Sequence, residues 1–363
     1  MWDALVVGGG IVGAACAHRL AQGGLKVLVL EASCMGGGAT AAGMGHIVVM
    51  DDNVPEFALT HFSQTLWDRL DLPEDAERVH TGTLWVAEDD EEMDGATRKQ
   101  AGYLERGLRA DLIGAQQLHN IEPHLRSGLQ GGLLVKNDSV VYPPRMAAFL
   151  LELSGAEVKT CEVSEVLDHG VKLTSGETLN ARHVVLAAGV KSAELFPELP
   201  IRPRKGHLAI TDRMSGFVHH QLVELSYLKS AHGVSRDSVA FNVQPRSTGQ
   251  VLIGSSRQFE APDKRVDFDI LGRMLRRATH FMPDLRQALV TRIWTGYRAA
   301  TPDSLPLIGP YPARKGLILA TGHEGLGITT SLGTAELVHA FVTESNFPIN
   351  PAPYLPTREV HHA

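Results

Sequence analysis

Three glycines, Gly8, Gly10 and Gly13, form a G-x-G-x-x-G pattern directly after the apolar run Ala4 to Val7 and at the start of a helically spaced stretch, Ile11 to Ala21. Each glycine has a separate physical task. The first permits a tight turn, the second lets a pyrophosphate approach the backbone, and the third lets helix and strand pack closely. The start of the helix then offers N–H groups and a positive dipole end to phosphates. Glu31 ends the next apolar run, 18 residues after Gly13, where a carboxylate can accept hydrogen bonds from ribose hydroxyls. A negative charge there repels a 2′-phosphate and disfavours an NADP-type ligand. The following segment, Met35 to Gly45, is glycine-rich beyond the needs of an ordinary surface loop. Its backbone donors can wrap a long cofactor, which favours FAD over NAD; a merely flexible loop is the competing reading.

These residues need a frame to hold them. Gly23 and Gly24 stop the first helix, and Leu25 to Leu30 supplies a second buried strand, completing a βαβ unit. Pro55 to Leu70 reads as a helix with Phe57, Phe62, Leu66 and Trp67 on one side. The acidic stretch Glu88 to Asp94 reads as a solvated loop or a helix start. Gly170 to Leu179 reads as a hairpin and Ala181 to Ala188 as a further strand. Leu208 to Thr211, Val239 to Gln244 and Val251 to Ile253 alternate as antiparallel strands do. Leu317 to Ala320 is a late strand, followed by a Gly-rich turn and a helix from about Leu332 to Val342. The tail from Phe347 is Pro-rich and irregular.

A strand–Gly turn–helix at each end, with antiparallel strands between, implies an α/β fold whose second part is α+β. A Rossmann-like dinucleotide domain (1–50, 143–200 and 293–363) is interleaved with an antiparallel-sheet substrate domain (51–142 and 201–292). Trp67, Trp85 and Trp294 read as core.

The chain has 363 residues, 44% of them hydrophobic, enough for two domains around a substantial core. The net charge of −7, without a basic stripe, argues against a nucleic-acid partner. Cys16, Cys34 and Cys161 are far apart and match neither a disulfide framework nor a metal cluster, which points to a reducing, cytoplasmic setting without an iron–sulfur centre of the chain's own. No apolar run reaches the roughly 20 residues needed to cross a bilayer. Peripheral contact with a membrane is left open.

The stretch Val7 to Leu20, the segment Gly38-Ala39-Thr40-Ala41-Ala42-Gly43, Leu186-Ala187-Ala188-Gly189 and the block Gly296-Tyr297-Arg298 to Thr301-Pro302-Asp303 and Pro306-Leu307-Ile308-Gly309 resemble the D-amino acid oxidase superfamily, which includes glycine oxidase, sarcosine oxidase and D-amino acid dehydrogenases. The resemblance runs from residue 4 to about 342. Thr321 to Thr330 is similar to the flavoprotein subunits of opine oxidase, hydrogen cyanide synthase and D-hydroxyproline dehydrogenase, and Gly45 to Asp52 to the last of these. The resemblance implies FAD as cofactor. Gly8, Gly10, Ile11, Val12 and Gly13 would hold its pyrophosphate, with Glu31 and Ala32 at the ribose. Gly38, Ala39, Thr40, Ala42, Gly43, Met44 and Gly45 would run towards the flavin. Val163 would touch adenine, and Ala188 and Gly189 the phosphate side. Gly325, Leu326, Gly327, Ile328 and Thr329 would place N–H groups near the flavin pyrimidine.

The same resemblance implies that Arg298 holds a substrate carboxylate, a task suited to its planar fork; a structural ion pair is the alternative. His323 and His46 are candidates for lining the flavin pocket, each equally readable as a packed histidine. Asn242 and Gln244 are candidates for the pocket wall. The implied reaction is hydride transfer from Cα of a small amino or imino acid to flavin N5, with electrons passed to a partner subunit or quinone. Oxygen as acceptor, an NAD-linked dehydrogenase and a flavin-bearing subunit without chemistry are the other readings. Gly325 departs from glycine oxidase, which carries a larger basic side chain near that place, and so leaves room for a bulkier substrate. Gly206-His207 replaces the family's usual Gly-Gln.

Overall fold

The computed structural model describes residues 1–226, 237–259, 261 and 263–359; the last four residues of the expected dinucleotide domain lie outside them. The chain forms two compact units, one from 1–76, 141–204 and 297–363, the other from 77–140 and 205–296. The fold is mixed α/β.

The first unit is built on a sheet in which Leu317–Thr321, Thr178–Leu186, Trp2–Val7, Val27–Glu31 and Glu157–Thr160 lie side by side and parallel. Leu307–Pro310 is added antiparallel at one edge. The strands alternate between two buried faces, which is why they read as continuous apolar runs. Ala4, Val6, Val29 and Val185 face a core shared with Ala14, Ala15, Leu20, Ala147, Leu150, Ala335 and Val338 of the helices Ile11–Gln22, Pro143–Ser154 and Gly327–Thr343. Leu5, Val7, Leu28, Leu30, Val184 and Leu186 face a second core with Val166, Val171, Phe196 and Leu199.

The helix Val54–Trp67 belongs to this unit, so the expected boundary at residue 50 moves to 76. The reason is packing: Gly333 of the late helix donates its N–H to Ser63 Oγ at 3.2 Å, and Trp67 Nε1 donates to Thr329 O at 2.9 Å. That late helix begins at Gly327, five residues earlier than expected, inside the Gly-rich turn.

The second unit holds an eight-stranded sheet in the order Val290–Ala300, Arg202–Arg213, Gln250–Arg257, Ser238–Pro245, Gln221–Glu224, Thr83–Ala87, Gly131–Val135 and Asp111–Gly114. The alternating segments are antiparallel as expected, with Ala209 opposite Ile253 and Val243 opposite Ile253. One pair departs from this pattern: Gln221–Glu224 runs parallel to Thr83–Ala87. The apolar face carries Leu84, Val86, Leu222, Phe241, Val243 and Ile253 against Leu271, Met274, Ala278 and Phe281 of the helix Phe268–Phe281. The acidic stretch is a helix start: Asp89 caps Asp90–Glu105 by accepting from Glu92 N. Trp67 and Trp85 are buried, as core residues should be, whereas Trp294 is half-buried. No helix among the described residues is long and apolar enough to cross a membrane.

Phe281 is fully buried and stacks on Phe241 with ring centroids 4.3 Å apart. Phe281→Ala is expected to destabilise the second unit by about 3–5 kcal/mol, read as a lowered denaturant midpoint of the transition followed by near-UV circular dichroism.

Candidate functional site

The glycine turn is held from three sides. Gly8 adopts φ +107, and a Cβ there would lie 2.5 Å from Ala187 O. A Cβ on Gly13 would lie 1.9 Å from Gly8 O, so the first helix can sit against the first strand only with glycine at 13. Glu31 Oε2 accepts from Gly9 N at 2.7 Å, and Oε1 accepts from the N–H and hydroxyl of Ser33 at 2.8 and 2.9 Å. The carboxylate therefore braces the turn and, with about four lone-pair directions, retains capacity for hydroxyl donors.

The Gly36 N–H donates to Gly9 O at 2.8 Å, bringing the second glycine-rich segment onto the first. Within that segment Gly38–Ala42 forms a short helix, and Thr40 Oγ1 accepts from Ile11 N at 3.0 Å. Gly10, the N-cap of the first helix, supplies no capping side chain. Together these residues make a backbone-lined cradle at a helix N-terminus that fits a dinucleotide pyrophosphate. Val163 and Ala188 pack at the edge of the neighbouring core, and Gly189 O accepts from Thr321 Oγ1 at 3.1 Å. Ala32 is exposed just beyond Glu31.

A second group gathers around residues 322–330. The late helix has Leu326 at its N-cap, again without a capping side chain. Thr329 Oγ1 accepts from Val48 N at 3.2 Å and donates to His46 O at 3.0 Å, which joins His46 and Met44–Gly45 to this turn. A Cβ on Gly43 would stand 3.0 Å from Ile328 Cδ1, another mark of the close approach. His323 is buried, its Nε2 2.9 Å from Thr334 Oγ1. Burial pushes its pKa down to about 3, so the ring is neutral at physiological pH. Glu324, at φ +47, donates its N–H to Ala299 O at 2.9 Å and pairs its carboxylate with Arg204 at 2.6 Å.

Arg298 lies two residues before the end of the strand Val290–Ala300. A Cβ on Gly325 would stand 3.7 Å from Arg298 Nε, in ordinary contact. A guanidinium thus lies beside a position with no side chain. Asn242 and Gln244 lie in the second unit, on the face of their strand opposite Phe241 and Val243, and both are buried. Among the described residues no group of three His, Cys, Asp or Glu could hold a metal ion.

One buried acid escaped sequence reasoning. Glu56 lines a small cavity with Leu59, Ser304, Leu305, Pro306, His323, Leu326 and Thr330. Burial, then Asp52, pushes its carboxyl from an ordinary 4.5 to about 8, with Glu324 and Asp51 adding to the effect and the Asp52 N–H opposing it. The pattern Asn53-x-x-Glu56 was readable as a helix cap, and Asn53 Oδ1 does accept from Glu56 N at 2.8 Å. Nothing local signalled that the side chain would be enclosed.

The family model described as FAD dependent oxidoreductase (DAO) matches residues 3–340. The chain is 29% identical to a glycine oxidase of Geobacillus kaustophilus over 99% of this chain and 97% of the relative. It is 27% identical to the hydrogen cyanide synthase subunit HcnC of Pseudomonas aeruginosa over 98% and 96%. The crystal structure of glycine oxidase from Geobacillus kaustophilus superposes with a TM-score of 0.89 at 28% identity, covering 99% of both chains.

Because Glu56 is protonated in the fold up to about pH 8 but ionises near 4.5 when unfolded, its contribution to stability is full below about 4.5 and is lost as pH rises through about 8. Glu56→Gln is expected to flatten the fall of Tm between pH 5 and 8.5. An unchanged slope in differential scanning calorimetry sinks this assignment.

Proposed function

The chain belongs to the DAO family of FAD dependent oxidoreductases, and from that premise we propose that it oxidises the carbon next to nitrogen in a small D-amino or imino acid of D-proline or D-hydroxyproline size. Electrons pass on to a partner subunit or quinone. The observation that carries the substrate class is Arg298 beside the bare Gly325. The guanidinium offers a two-pronged anchor for a carboxylate, and the missing side chain leaves room next to it for a ring. Relatives named as a glycine oxidase and as a subunit of hydrogen cyanide synthase support an amino-acid substrate and a partnered complex respectively.

FAD, when bound, supplies the hydride acceptor. The chain's own residues do the rest. Gly8, Gly10, Ile11, Val12 and Gly13 would line the pyrophosphate site at the start of the first helix, and Glu31 and Ala32 would meet the ribose. The segment Gly38 to Gly45 would run along the cofactor, and Val163, Ala188 and Gly189 would close the adenine and phosphate side. Gly325, Leu326, Gly327, Ile328 and Thr329 present an uncapped helix N-terminus, which stabilises negative charge developing nearby. Arg298 fixes the carboxylate and so aims the Cα–H, and this positioning supplies much of the rate. His323 stays neutral and adds no positive charge to oppose an ammonium substrate. His46 flanks the same turn. Asn242 and Gln244 are buried polar side chains of the second unit.

Anaerobic titration of the purified holoenzyme with glycine, sarcosine, D-proline and D-hydroxyproline tests the proposal. Bleaching of the flavin band near about 450 nm by the cyclic imino acids supports it. A flavin that none of the four reduces overturns it. A second reading, an oxidase using oxygen, is favoured by the glycine oxidase relative and is separated by stoichiometric peroxide formed under air.

Two variants extend the test. Arg298→Lys is expected to raise KM about 30-fold or more while the flavin stays bound, since an ammonium cannot reproduce the fork. Gly325→Arg is expected to lower kcat/KM for D-proline at least tenfold relative to glycine, measured with an artificial electron acceptor.

A further inference from the structure

The segment Ala352 to Arg358 crosses the first unit and ties down two walls of the cavity that holds Glu56 and His323. Arg358 is the stronger tie. Its Nε and Nη2 reach Asp303 Oδ2 and Oδ1 at 2.8 and 2.9 Å. Nη1 donates to Pro306 O at 3.0 Å and Leu355 O at 3.2 Å, and Nη2 also to Leu305 O at 2.8 Å. A guanidinium has five N–H donors, and these contacts use all of them. The pair is almost enclosed, with side-chain exposures of 9% and 16%, so little of its strength is lost to solvent screening.

The turn it grips is the one that follows the Arg298 strand. Thr301 Oγ1 donates to Leu305 O at 2.8 Å, Leu305 N donates to Asp303 Oδ1 at 3.2 Å, and Ser304 is held at φ +59. A non-glycine residue in that conformation persists only when its surroundings over-determine it. At the other wall the buried Tyr354 donates its hydroxyl to Pro55 O at 2.6 Å, one residue before Glu56. Ser304, Leu305 and Pro306 line the cavity on one side and Glu56 and Leu59 on another.

We propose that Arg358, acting through Asp303, and Tyr354, acting through Pro55, are positioning residues: the segment clamps the 301–306 turn and the start of the Val54–Trp67 helix, and thereby sets where Arg298 meets the substrate carboxylate. The consequence for catalysis rests on the role of Arg298 given under Proposed function. A shift of about 1 Å in such an anchor is enough to weaken a productive geometry markedly.

The experiment uses the full-length holoenzyme and the variants Arg358→Lys, Asp303→Asn and Tyr354→Phe. Arg358→Lys keeps the charge and loses the fork. It is expected to raise KM for the bleaching amino acid at least fivefold with kcat within twofold, and to increase hydrogen–deuterium exchange selectively in 299–306. Tyr354→Phe is expected to raise exchange in 54–59. The double variant Arg358→Lys/Asp303→Asn is expected to be no worse than the poorer single one. A lowered Tm with unchanged KM would falsify the positioning role and leave only a structural tie. Should none of the four amino acids reduce the wild-type flavin, the proposed function fails on its own account. The clamp is then judged by exchange in 299–306 and by the FAD dissociation constant; if Arg358→Lys changes neither, the clamp proposal is overturned.

Discussion

The first unit depends on one close approach, that of the Gly13 Cα to the carbonyl of Gly8, where even a methyl group would collide. That contact seats the Ile11–Gln22 helix over the ends of adjacent parallel strands, with Val7 beside Leu30 and Leu186. Because the strand ends are level there, Glu31 can reach back to Gly9 N, and Ala187 can pack under Gly8. Thr40 and Gly36 then attach the second glycine-rich segment to the same turn. Each contact involves backbone atoms, so the shape of the turn is set by the main chain rather than by long side chains. A larger residue at 13 would displace the helix, and the braces on the turn would lose their partners together.

This dependence on the backbone explains what could be read in advance. Glycine spacing, a buried strand on each side of it and a terminal carboxylate are all local features, so a dinucleotide cradle was legible from residues 4 to 31, and the choice of FAD came from the segment Met35 to Gly45 and the family resemblance. The antiparallel order around 208–253 was legible from alternation alone. The short strand Gln221–Glu224 was not, because four residues carry too little periodicity to reveal a parallel partner at Thr83–Ala87. The placement of Val54–Trp67 was misread for a different reason: the residues that receive it, Thr329 and Gly333, lie some 270 positions away in the chain. Arg298 beside Gly325 was legible only through resemblance, since no local pattern brings those two positions together. Glu56 was not singled out in the sequence, because its enclosure depends on residues 304–306 and 323–330, which no short window contains.

The charges around the 322–330 turn follow a common rule, that a buried charge is paired or removed. Glu324 is answered by Arg204, Asp303 by Arg358, and Glu56 by a proton, while His323 is kept neutral by burial. An anchor for a substrate carboxylate is effective only if nearby protein carboxylates do not occupy it or screen it. Arginine partners and a proton answer three of the carboxylates around the turn, so its surroundings are less negative than the number of acids suggests. The neutral His323 follows the same rule, since burial removes the charge that it would otherwise add to the turn. On this view the ion pairs at 204–324 and 303–358 serve the site without touching the substrate. They hold their own segments in place around the turn, by side chains that are themselves largely enclosed.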